Sequence, residues 1–298
     1  MPRSINLHAT SQQGRRPSNE DVELFQMNLT TDGYPQSNKY NPIDFFVICD
    51  GHGGSEVAQF VAPKLKKHFM RQKMDFPLMQ KDICRLYNHI QKGVINNPDN
   101  IGDTCGCTAL VLVRYYDRSR TISNEYIQVI NLGDCRAVLS RDGLAIPLCK
   151  DHKPFWPDEK TRIADVNKRN GTNHQVEFHE GDWRIHDLSV SRAFGDLDST
   201  PEVTHFPDSF VHSLSSADEF IIMACDGLWD IMDNHEAVNF VRDHLHGNNI
   251  ECYNVNDRYG TYPTKEVASS DCIARKLASY AIAKGSGDNV SIFIIILK

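Results

Sequence analysis

The sequence predicts an α+β fold with largely antiparallel sheets, because helical patterns occur in blocks and do not alternate strictly with strands. Short apolar runs rich in Val, Ile and Phe are a second indication, since such runs are typical of strands. A third is Asp142-Gly143, a turn dipeptide with apolar residues on both sides, which predicts a hairpin. The predicted strands are 43–49, 107–114, 126–132, 136–140, 219–225 and 290–296.

Apolar residues spaced by three and four positions predict three helices. The first covers 55–71 and contains Pro63, which we expect to kink or interrupt it. The second covers 235–245. The third covers roughly 266–284, where Gly285 is placed to end it.

The segment 152–190 is polar and dense in charge. Its plain interpretation is an irregular surface excursion. Its functional interpretation is a flap beside a site, because long loops in compact domains are often functional. No internal repeat, low-complexity tract or linker interrupts the chain, so we expect a single domain over 1–298.

The composition narrows the class of protein. The chain of 298 residues carries a net charge of -7, which argues against a nucleic-acid binder and suits a protein that holds cations. It shows no signal-peptide pattern and no apolar run long enough to span a bilayer. Its nine cysteines lack a C-x-x-C pair, which favours reduced thiols. We therefore expect a cytoplasmic or nuclear protein without a membrane partner and, in the absence of a coiled-coil pattern, a monomer.

Carboxylates recur where apolar strands begin or end. A half-desolvated carboxylate is costly unless a positive group compensates it, and an all-oxygen ligand set selects hard cations such as Mg²⁺ or Mn²⁺. A single Asp-Gly is first of all a turn signal. Two near-copies of an apolar-Cys-Asp-Gly stretch, with acidic residues in other turns, are harder to explain in that way. The candidate residues are Glu20, Asp21, Asp50, Asp134, Asp226, Asp230 and Asp288.

His52 lies between Gly51 and the pair Gly53-Gly54. A histidine near a turn is most simply a solvated side chain. The surrounding glycines, however, let the backbone approach a ligand closely, and an imidazole has a pKa near operating pH, which suits a general acid.

Eight motifs occur in a fixed order: RRPSNED, DGHGG, GCTALV, LGDCRAVL, DHKP, LSVSRAFGD, CDGLWD and GDNVS. With them the chain resembles the metal-dependent Ser/Thr protein phosphatases, the PPM or PP2C family, from about Gly14 to the C-terminus. The resemblance implies a four-layer α-β-β-α sandwich, in which two mainly antiparallel sheets are flanked by helices. It also implies that phosphoserine and phosphothreonine in phosphoprotein substrates are hydrolysed by water that two Mg²⁺ or Mn²⁺ ions activate.

The resemblance assigns the metal ligands. Asp50 is shared by both ions. One ion is also bound by Asp226 and Asp288, and the other by Glu20 and the backbone carbonyl of Gly51.

The resemblance also implies roles around these ligands. Asp21 matches a residue that holds metal-bound water. Asp134 and Asp230, together with Asp226, match positions that bind a weaker third metal in some members of the family. Arg16 binds the phosphate, for which a guanidinium fork is suited. His52 gives a proton to the departing Ser or Thr oxygen.

Two stretches depart from the family's pattern. Residues 184–187 are RIHD where many members have an Asn-Gly-Ser or Asn-Gly-Thr turn. The region 164–183 lacks the usual Gly-Gly turn and has NKRNGTNH instead. Both departures lie in or beside the flap, so they affect substrate recognition more than chemistry.

Three alternatives remain at this point. A cysteine phosphatase needs Cys-x5-Arg, which occurs from Cys135 to Arg141 and from Cys252 to Arg258, but neither loop contains a glycine. A two-metal nuclease is compatible with acidic clusters alone. The third alternative is a catalytically silent pseudophosphatase that serves as a binding module, and the complete ligand set favours catalysis over it.

Overall fold

The secondary structure is described here from a computed structural model for residues 3–27, 43–69, 74–117, 119, 125–179, 181–247 and 272–298. The strands are β1 (Ile5–Gln12), β2 (Val22–Gln26), β3 (Ile43–Cys49), β4 (Gly51–His52), β5 (Gly106–Cys107), β6 (Ala109–Tyr116), β7 (Glu125–Leu132), β8 (Arg136–Arg141), β9 (Leu144–Pro147), β10 (Glu177–His179), β11 (Asp182–Arg184), β12 (Phe194–Gly195), β13 (Asp208–Ser213), β14 (Asp218–Ala224) and β15 (Val290–Leu297). The helices are α1 (Glu56–Phe69), α2 (Gln80–Ile95), α3 (Pro157–Asn170), α4 (Asp226–Trp229), α5 (Asn234–Leu245) and α6 (Ile273–Lys284).

Two five-stranded sheets form the centre of the fold. The first has the strand order β1-β15-β14-β8-β9 and the second the order β13-β7-β6-β3-β2. All neighbouring strands in both sheets run antiparallel. A small sheet of order β12-β5-β4 lies at the end of β3, where the predicted site begins.

Alternating side chains divide the core into apolar layers. On β3, Phe46 and Ile48 pack between the two sheets, whereas Phe45 and Val47 face α1 and α2. The strands of the first sheet alternate in the same way, and their outer side chains pack against α5 and α6. The strands are apolar on both faces because each sheet is covered on both sides. The predicted α+β, four-layer α-β-β-α sandwich is therefore confirmed.

Most predicted strands match observed ones within a residue or two, but the run 107–114 is divided at Thr108. The Thr108 N–H donates to the Asp50 carbonyl at 2.9 Å, and its Oγ1 accepts from the Asp50 N–H at 3.2 Å. These bonds turn the chain out of the large sheet toward the small one. The prediction of one continuous strand was wrong because Thr108, a polar residue near the site, bonds to the backbone of Asp50 and so separates β5 from β6.

The predicted hairpin is present between β8 and β9. Asp142 and Gly143 both have positive φ angles, 48° and 78°. A two-residue hairpin turn of type I′ requires a positive φ angle at both central residues, and Asp-Gly is a favoured pair for it.

The helices correct two predictions. α1 runs through Pro63 without a break. Proline has no N–H for the helical hydrogen bond to the carbonyl four residues earlier, but Pro63 is exposed, so water can bond to that carbonyl instead. Segment 152–190 is not irregular, because it contains α3 and the hairpin β10–β11. α3 starts at Pro157 and is stopped by Gly171 in the left-handed conformation.

The third predicted helix is observed as α6, which ends at Gly285 with a φ of 119°. The part of that prediction before residue 272 lies outside the described residues. None of the described helices is both long and apolar enough to cross a membrane. None of the eight cysteines that the structure describes forms a disulfide within that part of the chain.

Candidate metal centre

The ends of paired strands bring the predicted carboxylates together. Asp50 follows β3, Asp134 lies in the turn between β7 and β8, and Asp226 follows β14. One carboxylate oxygen from each of these three residues lies within 4.8 Å of the others. Asp288 precedes β15, which pairs antiparallel with β14, so it lies at the same edge of the first sheet as Asp226.

These residues line a cavity of about 190 Å³. The cavity is mostly polar and opens beside the end of the flap. Its lining includes Arg16, Glu20, Asp50, Gly51, His52, Thr108, Asp134, Leu188, Ser189, Val190, Asp226, Asp288 and Asn289. Of the predicted site residues, Asp21 lies behind this lining, and Asp230 is exposed at the end of α4.

The carboxylates are under strong mutual repulsion. Burial raises the pKa of Asp50 and of Asp226 well above the usual range, and their acidic neighbours, including Asp134, raise it further. Burial, with the charge of Asp288, raises the pKa of Asp21 to about 6. Ser291, Cys225 and Asp50 lie close enough to offset part of this rise, but none of the described residues forms a well-aligned hydrogen bond with either carboxylate oxygen of Asp21. Such a group of carboxylates fits divalent cations, which the all-oxygen donor set would select from the hard class.

Two glycines allow the close approach of the strands that carry these ligands. A Cβ on Gly227, directly after Asp226, would lie 1.9 Å from the carbonyl oxygen of Asn289. A Cβ on Gly51, directly after Asp50, would lie 2.5 Å from the carbonyl oxygen of Glu20. Both distances are impossible for a real side chain. Glycine is therefore required after both Asp50 and Asp226, because the neighbouring backbone leaves no room for a side chain.

Lys153, from the DHKP motif, supplies a positive charge beside the predicted third metal. Its Nζ lies 2.5 Å from Asp134 Oδ2, and both side chains are largely buried. Burial opposes the lysine's charge, but Asp134, Asp226 and Asp230 raise its pKa. A third cation at Asp134 would have to share this carboxylate with the ammonium. The third metal stays a prediction.

Asn289 connects the N-terminal loop to the strand that carries Asp288. Its Oδ1 accepts from the Glu20 N–H at 2.9 Å. Its Nδ2 donates to the carbonyls of Gln13 and Ser18 at 2.8 and 2.9 Å. The side chain is almost fully buried. Sequence reasoning missed this role, although Asn289 lies inside the GDNVS motif.

Replacing Asn289 with alanine is expected to weaken metal binding at the ligand Glu20 by about 10–100-fold, because the loop that orients Glu20 loses three hydrogen bonds. Calorimetric titration with Mn²⁺ measures the change. Asn96→Ala is the matched control, since the Asn96 side chain is exposed at the end of α2 and, within the described residues, bonds to the carbonyl of Lys92. An Mn²⁺ affinity equal to that of the control would contradict the assigned role.

Arg16 lies at the rim of the cavity. Its Nη2 forms an ion pair with Asp288 Oδ2 at 2.7 Å, and just over half of its side chain, 56%, is exposed. Burial opposes its charge, but Asp288, Asp226 and Asp50 raise its pKa. The guanidinium thus remains charged, and part of its fork is open to solvent beside the carboxylates.

His52 is paired with a residue that the sequence predictions did not include. Its Nε2 lies 2.9 and 2.8 Å from the two carboxylate oxygens of Asp196, which is buried. Burial works against the imidazolium, but Asp196 outweighs it and raises the pKa of His52. Gly106 makes room for the pair, since a Cβ there would lie 2.2 Å from Asp196 and 2.5 Å from His52. The available signal was the final aspartate of LSVSRAFGD.

Ser191 and Arg192 of the same motif attach the flap to the body of the protein. Ser191 Oγ donates to Glu159 Oε2 at 2.7 Å, and Arg192 Nη2 lies 2.6 Å from Glu159 Oε1. Arg192 also pairs with Asp208 at 2.9 Å. Because Glu159 belongs to α3, these contacts hold that helix near the cavity without reaching into it.

The first of the two cysteine-phosphatase matches, Cys135 to Arg141, fails on geometry. Cys135 is buried, and burial raises the pKa of its thiol well above the usual range. Arg141 lies at the other end of β8, where it pairs with Asp218 at 2.6 Å. The second match, Cys252 to Arg258, lies outside the described residues.

Comparison with known proteins agrees with this site and fold. The sequence profile of the family Protein phosphatase 2C matches residues 5–290. The chain belongs to this family, whose phosphatases are metal-dependent.

Individual relatives are consistent with that membership. A PP2C-like domain-containing protein of Acanthamoeba polyphaga mimivirus is 65% identical over 171 residues, which cover 57% of this chain and 94% of that protein. Probable protein phosphatase 2C 75 of Arabidopsis thaliana is 30% identical over 311 residues, which cover 96% of this chain and 71% of that protein. Among solved structures, a phosphatase from Toxoplasma gondii matches with a TM-score of 0.72 and 20% sequence identity. The match covers 99% of this chain and 93% of the Toxoplasma gondii chain. The structural likeness supports the fold alone.

Proposed function

We propose that this chain is a protein serine/threonine phosphatase that works with two Mg²⁺ or Mn²⁺ ions in the cavity. Asp50, Asp226 and Asp288 would hold one ion, and Asp50, Glu20 and the Gly51 carbonyl would hold the other. The observation that carries the proposal is the close packing of Asp50, Asp134 and Asp226 within 4.8 Å at the floor of a cavity that Arg16 and His52 also line. Carboxylates packed this closely repel one another when they are ionised, and bound cations would compensate their charge.

When bound, such ions stabilise negative charge and lower the pKa of a water nucleophile. The chain's own residues supply the remaining parts of the reaction. Arg16 offers its guanidinium fork to two phosphoryl oxygens. Asp196 holds Nε2 of His52, which leaves the proton on Nδ1 of the imidazolium for the departing Ser or Thr oxygen. The leaving alkoxide is thereby neutralised as the P–O bond breaks.

Metal binding is expected to release protons and to tighten as pH rises. Asp21 has a pKa of about 6, and Asp50 and Asp226 have pKa values well above the usual range, so part of the site is protonated in mildly acidic solution. Ligand carboxylates must lose those protons first. Affinity for Mg²⁺ should therefore fall as pH is lowered, over a range that includes about 6, the pKa of Asp21, which would hold metal-bound water.

Calorimetry at that pH, in buffers of different ionisation enthalpy, measures the released protons. An affinity that does not change with pH, with no proton released, would contradict the protonation pattern. Glu56→Gln, outside the ligand set, is the control variant and should behave as the wild type.

The experiment that tests the function is phosphate release from matched phosphothreonine, phosphoserine and phosphotyrosine peptides. The protein is first stripped with EDTA and then assayed with and without Mg²⁺ or Mn²⁺. We expect release from the first two peptides only, and only with added metal. Silence on all peptides in the metal-loaded protein would instead support the alternative, a pseudophosphatase that binds partners without catalysis.

The proposal includes the setting of the activity. The substrates are phosphoproteins, and the acidic chain binds neither nucleic acid nor membrane. It acts as a single domain over 1–298 and as a monomer in the cytoplasm or nucleus. A third metal at Asp134, Asp226 and Asp230 is part of the same proposal.

A further inference from the structure

A second cluster of potential metal ligands joins the flap to the segment after it and does not include the carboxylates of the cavity. It consists of His174, His186 and Glu202, whose ligand atoms all lie within 4.8 Å of one another. His174 Nδ1 is 2.9 Å from Glu202 Oε1, and His186 Nε2 is 3.5 Å from Glu202 Oε2. The two imidazole rings meet edge to face, with centroids 4.3 Å apart. We propose that this cluster binds a transition-metal ion of the Zn²⁺ type.

The donor set distinguishes this cluster from the carboxylate cavity. Two imidazole nitrogens and one carboxylate oxygen suit Zn²⁺ and its neighbours, whereas all-oxygen sites suit Mg²⁺ and Mn²⁺. Tetrahedral Zn²⁺ with bonds of about 2.0–2.1 Å keeps its ligand atoms about 3.3 Å apart. The two nitrogen-to-oxygen distances, 2.9 Å to Oε1 and 3.5 Å to Oε2 of the Glu202 carboxylate, are of that order. Three protein ligands leave a fourth position for water or another molecule.

The carboxylate of this cluster is oriented by the surrounding structure. Glu202 is 1% exposed, so its charge is largely removed from water. The Thr172 hydroxyl lies 3.1 Å from Glu202 Oε1 and shares its one proton between this oxygen and Asn167 Oδ1 at 2.8 Å. Ligands held in this way by an outer hydrogen bond are typical of built metal sites.

His186 is held in the cluster without satisfying its own ring nitrogen. Its Nε2 is buried and makes no hydrogen bond in the described part of the chain. The residue has a φ of 50°, in the left-handed region, and the following Asp187 has a φ of 64°. Ile185 and Leu188 close this turn with two mutual backbone hydrogen bonds of 3.0 Å. A buried nitrogen that lies 3.5 Å from a carboxylate oxygen without bonding to it is a donor that suits a cation between the two.

The three ligands come from three separate segments of the flap region. His174 follows α3, His186 follows β11, and Glu202 follows the short helical turn Leu197–Ser199. The turn that holds His186 leads directly into Leu188–Val190, which line the carboxylate cavity. An ion bound here would tie the three segments together and fix the wall of the cavity next to the flap.

Both histidines lie in the stretches that depart from the family's pattern, His174 in NKRNGTNH and His186 in RIHD. The Zn²⁺ site is therefore a property of this chain's own flap. It does not depend on whether the carboxylate cavity is catalytically active.

The test is a calorimetric titration of the EDTA-treated full chain with Zn²⁺ in the presence of excess Mg²⁺. Mg²⁺ occupies the oxygen-only site and competes poorly for imidazole. Titration with Co²⁺ under the same conditions adds an absorption spectrum that reports nitrogen ligation and tetrahedral geometry. The variants are His186→Gln and His174→Gln. His179→Gln, an exposed histidine of the same flap outside the cluster, is the control.

We expect one Zn²⁺ per chain in the wild type and in His179→Gln, and an affinity at least about 100-fold lower in each of the other two variants. The tetrahedral Co²⁺ spectrum should disappear in the same two variants. Thermal unfolding without Zn²⁺ establishes that all variants are folded. The absence of Zn²⁺ binding in the wild type, or equal binding in all four proteins, would overturn the proposal and leave a simple His-Glu hydrogen bond.

Discussion

Replacing Asp50 with asparagine is expected to reduce metal-dependent phosphate release by about 10³-fold or more, because both metals lose their shared ligand. The same substitution should stabilise the protein in the absence of metal. Asparagine is neutral and nearly isosteric, so it removes one charge from a group that includes Asp226, Asp21 and Asp134.

The sign of the stability effect follows from the pKa of Asp50. Burial and neighbouring carboxylates raise that pKa in the folded protein well above its unfolded value, which is about 3.9. The folded state therefore holds the proton more tightly, and the metal-free wild type loses stability as pH rises from the unfolded value through the folded one. The advantage of Asp50→Asn should be absent in strong acid and fully present above the folded pKa.

Thermal unfolding at neutral pH, with and without Mg²⁺, measures both effects. We expect a metal-free Tm several degrees above that of the wild type, at ~2 °C per kcal/mol for a chain of this size, and no rise in Tm with Mg²⁺. Asp142→Asn is the matched control, because Asp142 also belongs to an Asp-Gly turn but lies in a plain hairpin. Retained phosphate release in Asp50→Asn, or a lower metal-free Tm, would contradict the electrostatic account.

The second large effect is expected from Asp196→Asn, which should lower kcat by about 10²-fold while leaving KM for the phosphopeptide nearly unchanged. Asp196 acts through His52 and is a positioning residue. Its carboxylate raises the pKa of the imidazole, so the proton donor is present below that pKa and is lost as pH rises through it. Without the carboxylate, the alkaline limb of the pH–rate profile should move to lower pH.

A pH–rate profile with a phosphothreonine peptide tests this shift. A substrate with a good leaving group, such as an aryl phosphate, needs little proton donation and should be much less affected by the substitution. Asp198→Asn provides the control, since Asp198 is exposed two residues further along the chain. An unshifted alkaline limb, or equal losses on both substrates, would indicate a structural role only.

The fold could be predicted where the local pattern and the tertiary environment agree. Strands such as β3 and β15 are buried on both faces, and their unbroken apolar runs are visible without any structure. α2 was missed although Ile83, Leu86, Ile90 and Val94 follow a helical spacing, because polar residues separate them. α3 was missed for a different reason, since much of its surface is charged and its position depends on Glu159 meeting Ser191 and Arg192.

The residues of the candidate site could likewise be predicted only where the local sequence pattern reveals them. Carboxylates at strand ends could be identified as a group, because desolvation makes each of them costly alone. The pairing of Asp196 with His52, 144 residues away, depends on the contact of β12 with β5, which no local pattern encodes. The support that Asn289 gives to Glu20 likewise joins opposite ends of the chain. Residues that act through another side chain are visible only once the fold is known.

The central claim is that the carboxylates of the cavity hold two divalent cations. Anomalous diffraction from crystals of the full chain grown with Mn²⁺ tests it most directly, because Mn²⁺ is located by its own signal. The account predicts two strong peaks that share Asp50, one beside Asp226 and Asp288 and the other beside Glu20 and the Gly51 carbonyl. A map with no peak among these residues at saturating Mn²⁺ would contradict it.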